Sequence, residues 1–413
     1  MNNLFSSIKS SAVVATFAAS VLLAGCGGGG GDAPSNPGTG TTPPPVATTP
    51  TVYEAAKAPA KLSAWNLVKL SGNTLSLNSA MVPFDLNSTL FTDYAFKLRA
   101  LYVPAGKTIG YTSAPNDPLD FPIGTVLAKT FYYPKATGTD AAYLPVAQKT
   151  QAVQGATIDM SAYRLIETRL LVRQADGSWA GLPYVWDDDQ KDATLTTQGK
   201  YISMELVPDV GASQKFTYAV PNSQTCQQCH AAKSNGSGST TPIGPKARNL
   251  NKMYDYGNGT VANQLTHLDD LKLLSGFTGV GNAPASADWK DTTKTLDQRA
   301  SAYLDVNCAH CHNSKGYASQ SGLLLNYDNI GNATATDTWG VCKIPLAYVG
   351  TGQPGYKYDI NPGSPETSIL LYRMSHVGAS QTMPVVGRQT NHIEALSVVN
   401  DWIRQLALAA CTP

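Results

Sequence analysis

The chain has 413 residues, with 30 lysines and arginines against 29 aspartates and glutamates and a formal net charge of +1. Charged residues make up 14% of it, against roughly 25% in an average soluble chain, which excludes a nucleic-acid binder held by counterion release. A hydrophobic content of 42% excludes wholesale disorder, and the length allows two or three domains of ~100 to 200 residues each.

In chain order, Lys9 precedes an apolar stretch from Ala12 to Gly25. That stretch is too short to span a bilayer and suits the apolar part of a secretory signal. It ends Leu23-Ala24-Gly25-Cys26, which resembles the lipobox of bacterial lipoproteins. The resemblance implies removal of residues 1–25 and lipidation of Cys26 as the new N-terminus; an ordinary signal peptide with an incidental cysteine is the alternative. Gly27 stands where some lipoproteins carry an inner-membrane retention aspartate, so the resemblance points to the outer membrane of a Gram-negative bacterium. Residues 26–51 are dominated by Gly and Pro and read as a tether that cannot bury an apolar face.

Residues 52–220 contain no cysteine or histidine and read as a β-rich, sandwich-like domain. Thr125–Tyr133 and Tyr163–Arg173 are rich in β-branched and aromatic residues, and Asp176-Gly177 before Trp179 is a hairpin-turn signal. The acidic row Asp187-Asp188-Asp189 after Trp186 lacks the spacing of a calcium loop and reads as a solvated turn.

Seven cysteines stand at 26, 226, 229, 308, 311, 342 and 411. The middle four form Cys226-Gln227-Gln228-Cys229-His230 and Cys308-Ala309-His310-Cys311-His312. Both are C-x-x-C-H, the pattern of c-type haem attachment: two thiols add to the vinyl groups of one porphyrin and the adjacent histidine reaches the iron. A four-cysteine zinc site pairs its elements roughly 15–20 residues apart, far closer than these two motifs stand. An exporting context also suits covalent haem better than zinc. Two haem c groups are therefore expected, with His230 and His312 as proximal ligands. The leftover Cys342 and Cys411 are expected to pair in an oxidising compartment.

Residues 221–285 form the first haem segment. Lys246 and Arg248 are candidates for propionate contacts, with a solvated basic loop as the alternative. For its distal position the sequence offers His267, in VANQLTHLDDLKLL, or Met253; an empty position stays open beside them. In residues 286–413 a capping-box pattern at Thr295–Gln298 starts a helix that delivers Cys308. Ile393, Leu396, Val399, Trp402 and Ile403 share a helical face near the end, and QTMPVVGR carries Met383 between them. This order resembles a class I cytochrome c domain, and the resemblance implies Met383 as distal ligand of the second haem. Met374 and His376 are rival candidates for that position but sit in a run that reads as a packed helix, His310 is expected at the surface, and His392, at the mouth of the last helix, is expected to cap it or to contact a propionate rather than ligate iron.

FDLNSTLFTDYAFKLR, FPIGTVLAKTFYYP, ETRLLVR, NQLTH, NCAHCH and TMPVVGR together resemble an uncharacterised bacterial family of exported dihaem c-type cytochromes. A fainter similarity is to β-sheet cytochromes that oxidise hydroxylamine through a haem–lysine cross-link; it would single out Lys129, which otherwise reads as a strand lysine exposed to water. The expected architecture is multidomain: the β-rich domain, then mainly α-helical cytochrome c-like haem modules. The expected function is electron transfer by a membrane-tethered carrier with a redox protein partner. The alternatives are a haem oxidoreductase with an open first haem, peroxidase-like or acting on small nitrogen compounds, and a docking subunit of a larger redox complex.

Overall fold

In the computed structural model, residues 49–413 are described except 151–154, 235–236, 347, 349–355, 379–380, 410 and 412–413. The signal, Cys26 and nearly all of the tether lie outside the described residues. Among the described residues no helix is long and apolar enough to cross a membrane.

Strands β1 (Val68–Ser71) and β2 (Thr74–Leu77) open the chain as a hairpin. They are followed by β3 (Val82–Phe84), β4 (Phe96–Tyr102), β5 (Ile109–Gly110), β6 (Val126–Pro134), β7 (Leu144–Ala147) and β8 (Thr157–Asp159). The longest strand, β9 (Tyr163–Arg173), turns at Asp176-Gly177 into β10 (Trp179–Trp186), and β11 (Ala193–Leu195), β12 (Lys200–Val207) and β13 (Gln214–Val220) complete this half. The turn closes because Gly177 takes φ 80° and the Asp176 carboxylate accepts the Ser178 N–H at 2.8 Å.

A six-stranded sheet runs β11-β10-β9-β6-β4-β3. Side chains alternate across it, as a pleat requires. One face carries Phe96, Leu98, Ala100, Val126, Ala128, Leu170 and Val172 into a core with the β1-β2-β8 sheet and Trp65. The opposite face is divided. At one end Phe131, Tyr133 and Ile166 pack on the β7-β12-β13 sheet; at the other Leu101, Leu127, Val82 and Phe84 pack on the segment that follows the first motif. Between these two apolar patches the face is polar, and the candidate site lies against it.

The first motif forms helix α1 (Ser223–His230), followed by the hairpin β14 (Ala231–Ser234) and β15 (Ser237–Thr240). Helix α2 (Ala247–Leu250), the hairpin β16 (Met253–Gly257) and β17 (Thr260–Asn263), helix α3 (Gln264–Asp270) and β18 (Leu274–Ser275), which pairs with β5, complete the segment. The run expected to be one helix therefore starts as strand; Asn263 switches it by accepting the Leu265 N–H as N-cap.

In the last third, α4 (Leu296–Asn307) begins with the expected capping box, Thr295 and Gln298 bonding reciprocally, and ends at Cys308. Helices α5 (Ile369–Ser375) and α6 (Ile393–Gln405) follow a long irregular stretch. Helix α6 buries Ala395, Val398, Val399, Trp402 and Ile403 with Leu304 of α4 and Trp339, roughly 1.5–3 kcal/mol for each large apolar side chain. Ile393, assigned to that stripe from the sequence, is 59% exposed.

The expectation of mainly α-helical haem modules is overturned. The described residues hold six α-helices against eighteen strands, sheet continues through residues 221–285, and the three α-helices of the last third are separated by loops. The physical reason is local: Gly-, Asn- and Pro-rich stretches between the helices lack apolar residues at helical spacing.

Residues 47–413 make one compact unit. Arg248 of α2 and Asp305 of α4 form an ion pair at 2.6 Å, each side chain 2% exposed. Asp93, on the turn between β3 and β4, accepts the N–H groups of Gln389 and Thr390 at 2.6 and 2.7 Å. Tyr94 donates to Glu394 at 2.9 Å.

Candidate functional site

One cavity of about 430 Å³ opens on the polar stretch of the central sheet, and both cysteine motifs reach it. Cys226, Cys229 and His230 line it from the first motif, and Cys308 and His310 from the second; Met383, Met374 and His392 also lie on its wall. Much of the rest is apolar, including Phe84, Leu86, Leu127, Leu171 and Ile243. Apolar side chains with polar groups converging among them are the lining of a small-molecule site. Strand β10 runs directly beside the first motif: a Cβ at Gly181 would be in ordinary contact, 3.6 Å, with Cys226 Sγ.

The first motif offers two thiols and an imidazole that could hold a haem. Cys226 and Cys229 are unpaired in disulfides. His230 Nδ1 lies 2.8 Å from the Thr241 carbonyl; donating there, it leaves Nε2 with its lone pair, the usual preparation of a ligating histidine. Burial, and after it the Lys129 charge, push His230 down to about 4, so the ring is neutral. The second motif fits in part. Cys308, its thiol pushed up to about 12 by burial, lines the cavity with Met383. His312 is pushed to about 4 by burial, and its Nδ1 is 3.3 Å from Ser321 Oγ, but its ring is not on the cavity wall.

The two motifs meet. Ligand atoms of Cys229, His310 and Cys311 all lie within 4.8 Å of one another. Cys311 donates its S–H to the Gln228 carbonyl at 3.3 Å, and its closeness to Cys229 holds the Cys229 thiol well below its usual range, with His310 adding to the effect, while Cys311 is raised. Two sulfurs and an imidazole are also a soft-metal donor set. Haem attachment would consume both sulfurs, so the two occupancies exclude one another. His310, expected at the surface, is half-buried here with Nδ1 unpartnered.

Other candidates fall elsewhere. Met253 is 57% exposed on β16. His267 stacks on Tyr256 at 3.7 Å, and neither residue lines the cavity. Lys246 and Arg248 are buried but are not on the cavity wall; Arg248 is spent on Asp305 and on the Pro115 carbonyl. His376 stacks on Tyr372 at 3.9 Å. His392 stacks on Phe91 at 4.3 Å, its Nδ1 lies 3.2 Å from Tyr303 Oη, and burial pushes it to about 3. The Met383 loop is fixed by Arg388, which donates to the carbonyls of Met383, Arg373, His376 and Thr390 at 2.9–3.1 Å. Cys342 and Cys411 are joined by a disulfide with Cα atoms 5.2 Å apart.

Lys129, read from the sequence as a water-exposed strand lysine, lines the cavity instead. Burial, then the Arg169 and Arg99 charges, push it to about 7. Arg99 and Arg169 also line the cavity. The signal that could have found this row was the alternation of Lys97, Arg99, Lys129 and Arg169 with apolar residues in strands otherwise buried on both faces.

No family model, no curated protein and no solved structure matches this chain.

Proposed function

We propose that the chain is an exported c-type cytochrome that holds two haems, one at Cys226, Cys229 and His230 and one at Cys308, Cys311 and His312, and that it transfers electrons to or from a redox protein partner. The observation that carries this reading is the convergence of two C-x-x-C-H motifs, far apart in sequence, on one largely apolar cavity. When bound, such groups supply one-electron chemistry that ordinary side chains lack. The chain's own residues would do the rest. His230 is held neutral and oriented by the Thr241 carbonyl. Met383 is offered to the cavity by a loop pinned through Arg388, and the apolar wall limits water. On this reading residues 1–25 direct export and a lipid on Cys26 tethers the body to a membrane, an outer membrane if the lipobox likeness holds.

A second reading, a haem oxidoreductase with an open first site, is favoured by one observation: neither His267 nor Met253 lies on the cavity wall. One set of measurements tests both. Haem per chain and bound metal are determined on purified protein and on Cys308→Ser with Cys311→Ser; two haems falling to one support attachment. Zero haem with one bound zinc or copper ion would overturn it in favour of the Cys229, His310, Cys311 triad. Carbon monoxide added to the reduced protein then separates the readings: no spectral change marks a carrier, and a change equal to one haem marks the open site.

A further inference from the structure

The central sheet carries a row of like charges. Arg99 of β4 is directly opposite Lys129 of β6, and Lys129 is directly opposite Arg169 of β9. Residues opposite one another share a face, and like charges so placed are destabilising unless something answers them. The two flanks are answered within the chain. Arg99 pairs with Asp85 at 2.6 Å, and Arg169 holds Glu167 through two bonds of 2.8 and 2.6 Å. The middle is not. Lys129 makes no hydrogen bond or ion pair among the described residues: Glu167, already held by Arg169, and Cys229 act on it only at a distance, and the Phe131 ring lies 5.1 Å away. No aspartate or glutamate lines the cavity, whereas Lys200 and Arg388 add two more cations to its wall.

A cation with no counter-ion in contact, on the wall of a largely apolar cavity, is complemented by an anion. We propose that the Arg99–Lys129–Arg169 row is a binding site for a small anion, a carboxylate or an oxyanion, received from the cavity against the Lys129 ammonium. The ammonium would give charge-assisted hydrogen bonds, and the flanking guanidiniums, fixed by their own carboxylates, would contribute field without reorganising. The site stands on this chain's own side chains and does not depend on the haem reading. The anion can come from two sources: free in solution, or a carboxylate carried by a bound prosthetic group.

The test uses the full chain, prepared with and without haem supply, in a buffer of bulky sulfonate at constant ionic strength. Formate and nitrate are the probes and formamide is the neutral control, read by calorimetry and by thermal unfolding. The expected result is binding of an anionic probe but not of formamide, weakened at least tenfold in Lys129→Met, a neutral side chain of similar reach. Binding by both preparations assigns a free anion; binding only without haem assigns a carried carboxylate. No binding by either preparation, or equal binding by Lys129→Met, overturns the proposal. The wild-type melting midpoint gives an independent reading: it must rise with formate in the preparation that binds. Lys129→Met must melt higher than wild type in probe-free buffer, since the change removes an unanswered charge. A variant that melts no higher refutes the argument from like-charge repulsion.

Discussion

Arg248→Met breaks the ion pair that fastens α2 to α4, together with the bonds of Arg248 to the Pro115 carbonyl and Asn116. Arg248 and Asp305 are 2% exposed and 2.6 Å apart. Their removal from water is repaid only by their mutual attraction and the hydrogen bonds around them. Methionine keeps much of the aliphatic volume, so the main loss is electrostatic. Asp305 is left buried as a carboxylate with the Tyr327 N–H, at 3.1 Å, as its remaining recorded donor. Breaking a buried pair by removing one partner costs about 3–5 kcal/mol, whereas replacing both by apolar residues is often close to neutral. The double variant Arg248→Met with Asp305→Leu should therefore recover the part of the loss that belongs to the pair, but not the bonds to Pro115 and Asn116, giving a coupling of about 2 kcal/mol or more in the cycle. Urea unfolding followed by tryptophan fluorescence reads this out as a shifted midpoint at constant slope. A single-variant loss below about 1 kcal/mol, or a double variant as unstable as the sum of the singles, would refute the reasoning. The experiment also separates the two roles of Arg248: a structural pair destabilises the chain with or without haem, whereas a propionate contact matters only when haem is bound.

Acid should destabilise the haem-free chain through its buried rings. His230 and His312 are held near 4 and His392 near 3, all below the unfolded value of about 6.5. The unfolded chain therefore takes up protons first, and stability is lost as pH falls from about 6.5 through the folded values, by roughly 1.4 kcal/mol per unit for each ring. A urea midpoint that is flat between pH 6.5 and 4.5 would show that these rings are not buried neutral. Replacing Cys342 and Cys411 together by serine should cost roughly 4 kcal/mol, from the entropy of closing a loop of 69 residues. In the native protein neither thiol should take an alkylating label until a reductant is added, and labelling without reductant would contradict the bridge.

Much of the local structure was legible because it depends on neighbours in sequence. The Asp176-Gly177 turn, the Thr295–Gln298 capping box and the helix ending at Cys308 each follow from a few adjacent residues. What was not legible depends on distant partners. Arg248 read as a propionate contact or as part of a solvated basic loop because nothing nearby announces Asp305, 57 residues on. Lys129 read as exposed because its side of the sheet is decided by α1, not by β6 itself. His267 stacks on Tyr256, and that contact comes from β16, which alternates too briefly to stand out from a loop. The helical expectation for the haem segments failed because helix was legible only at a few periodic stretches. The sequence between them has no strong period of either kind.

Asp93 sets where the far end of the chain can be. Its carboxylate takes two backbone N–H groups of the loop that follows Met383, across 296 and 297 residues of sequence. The address of that loop is thus written in the turn between the third and fourth strands. Tuning at the Met383 end of the cavity can therefore change without any substitution in the loop itself. Variants of this chain compared only near their cysteine motifs would share every visible cavity-facing residue and still differ in behaviour, through a displacement passed along from a distant turn.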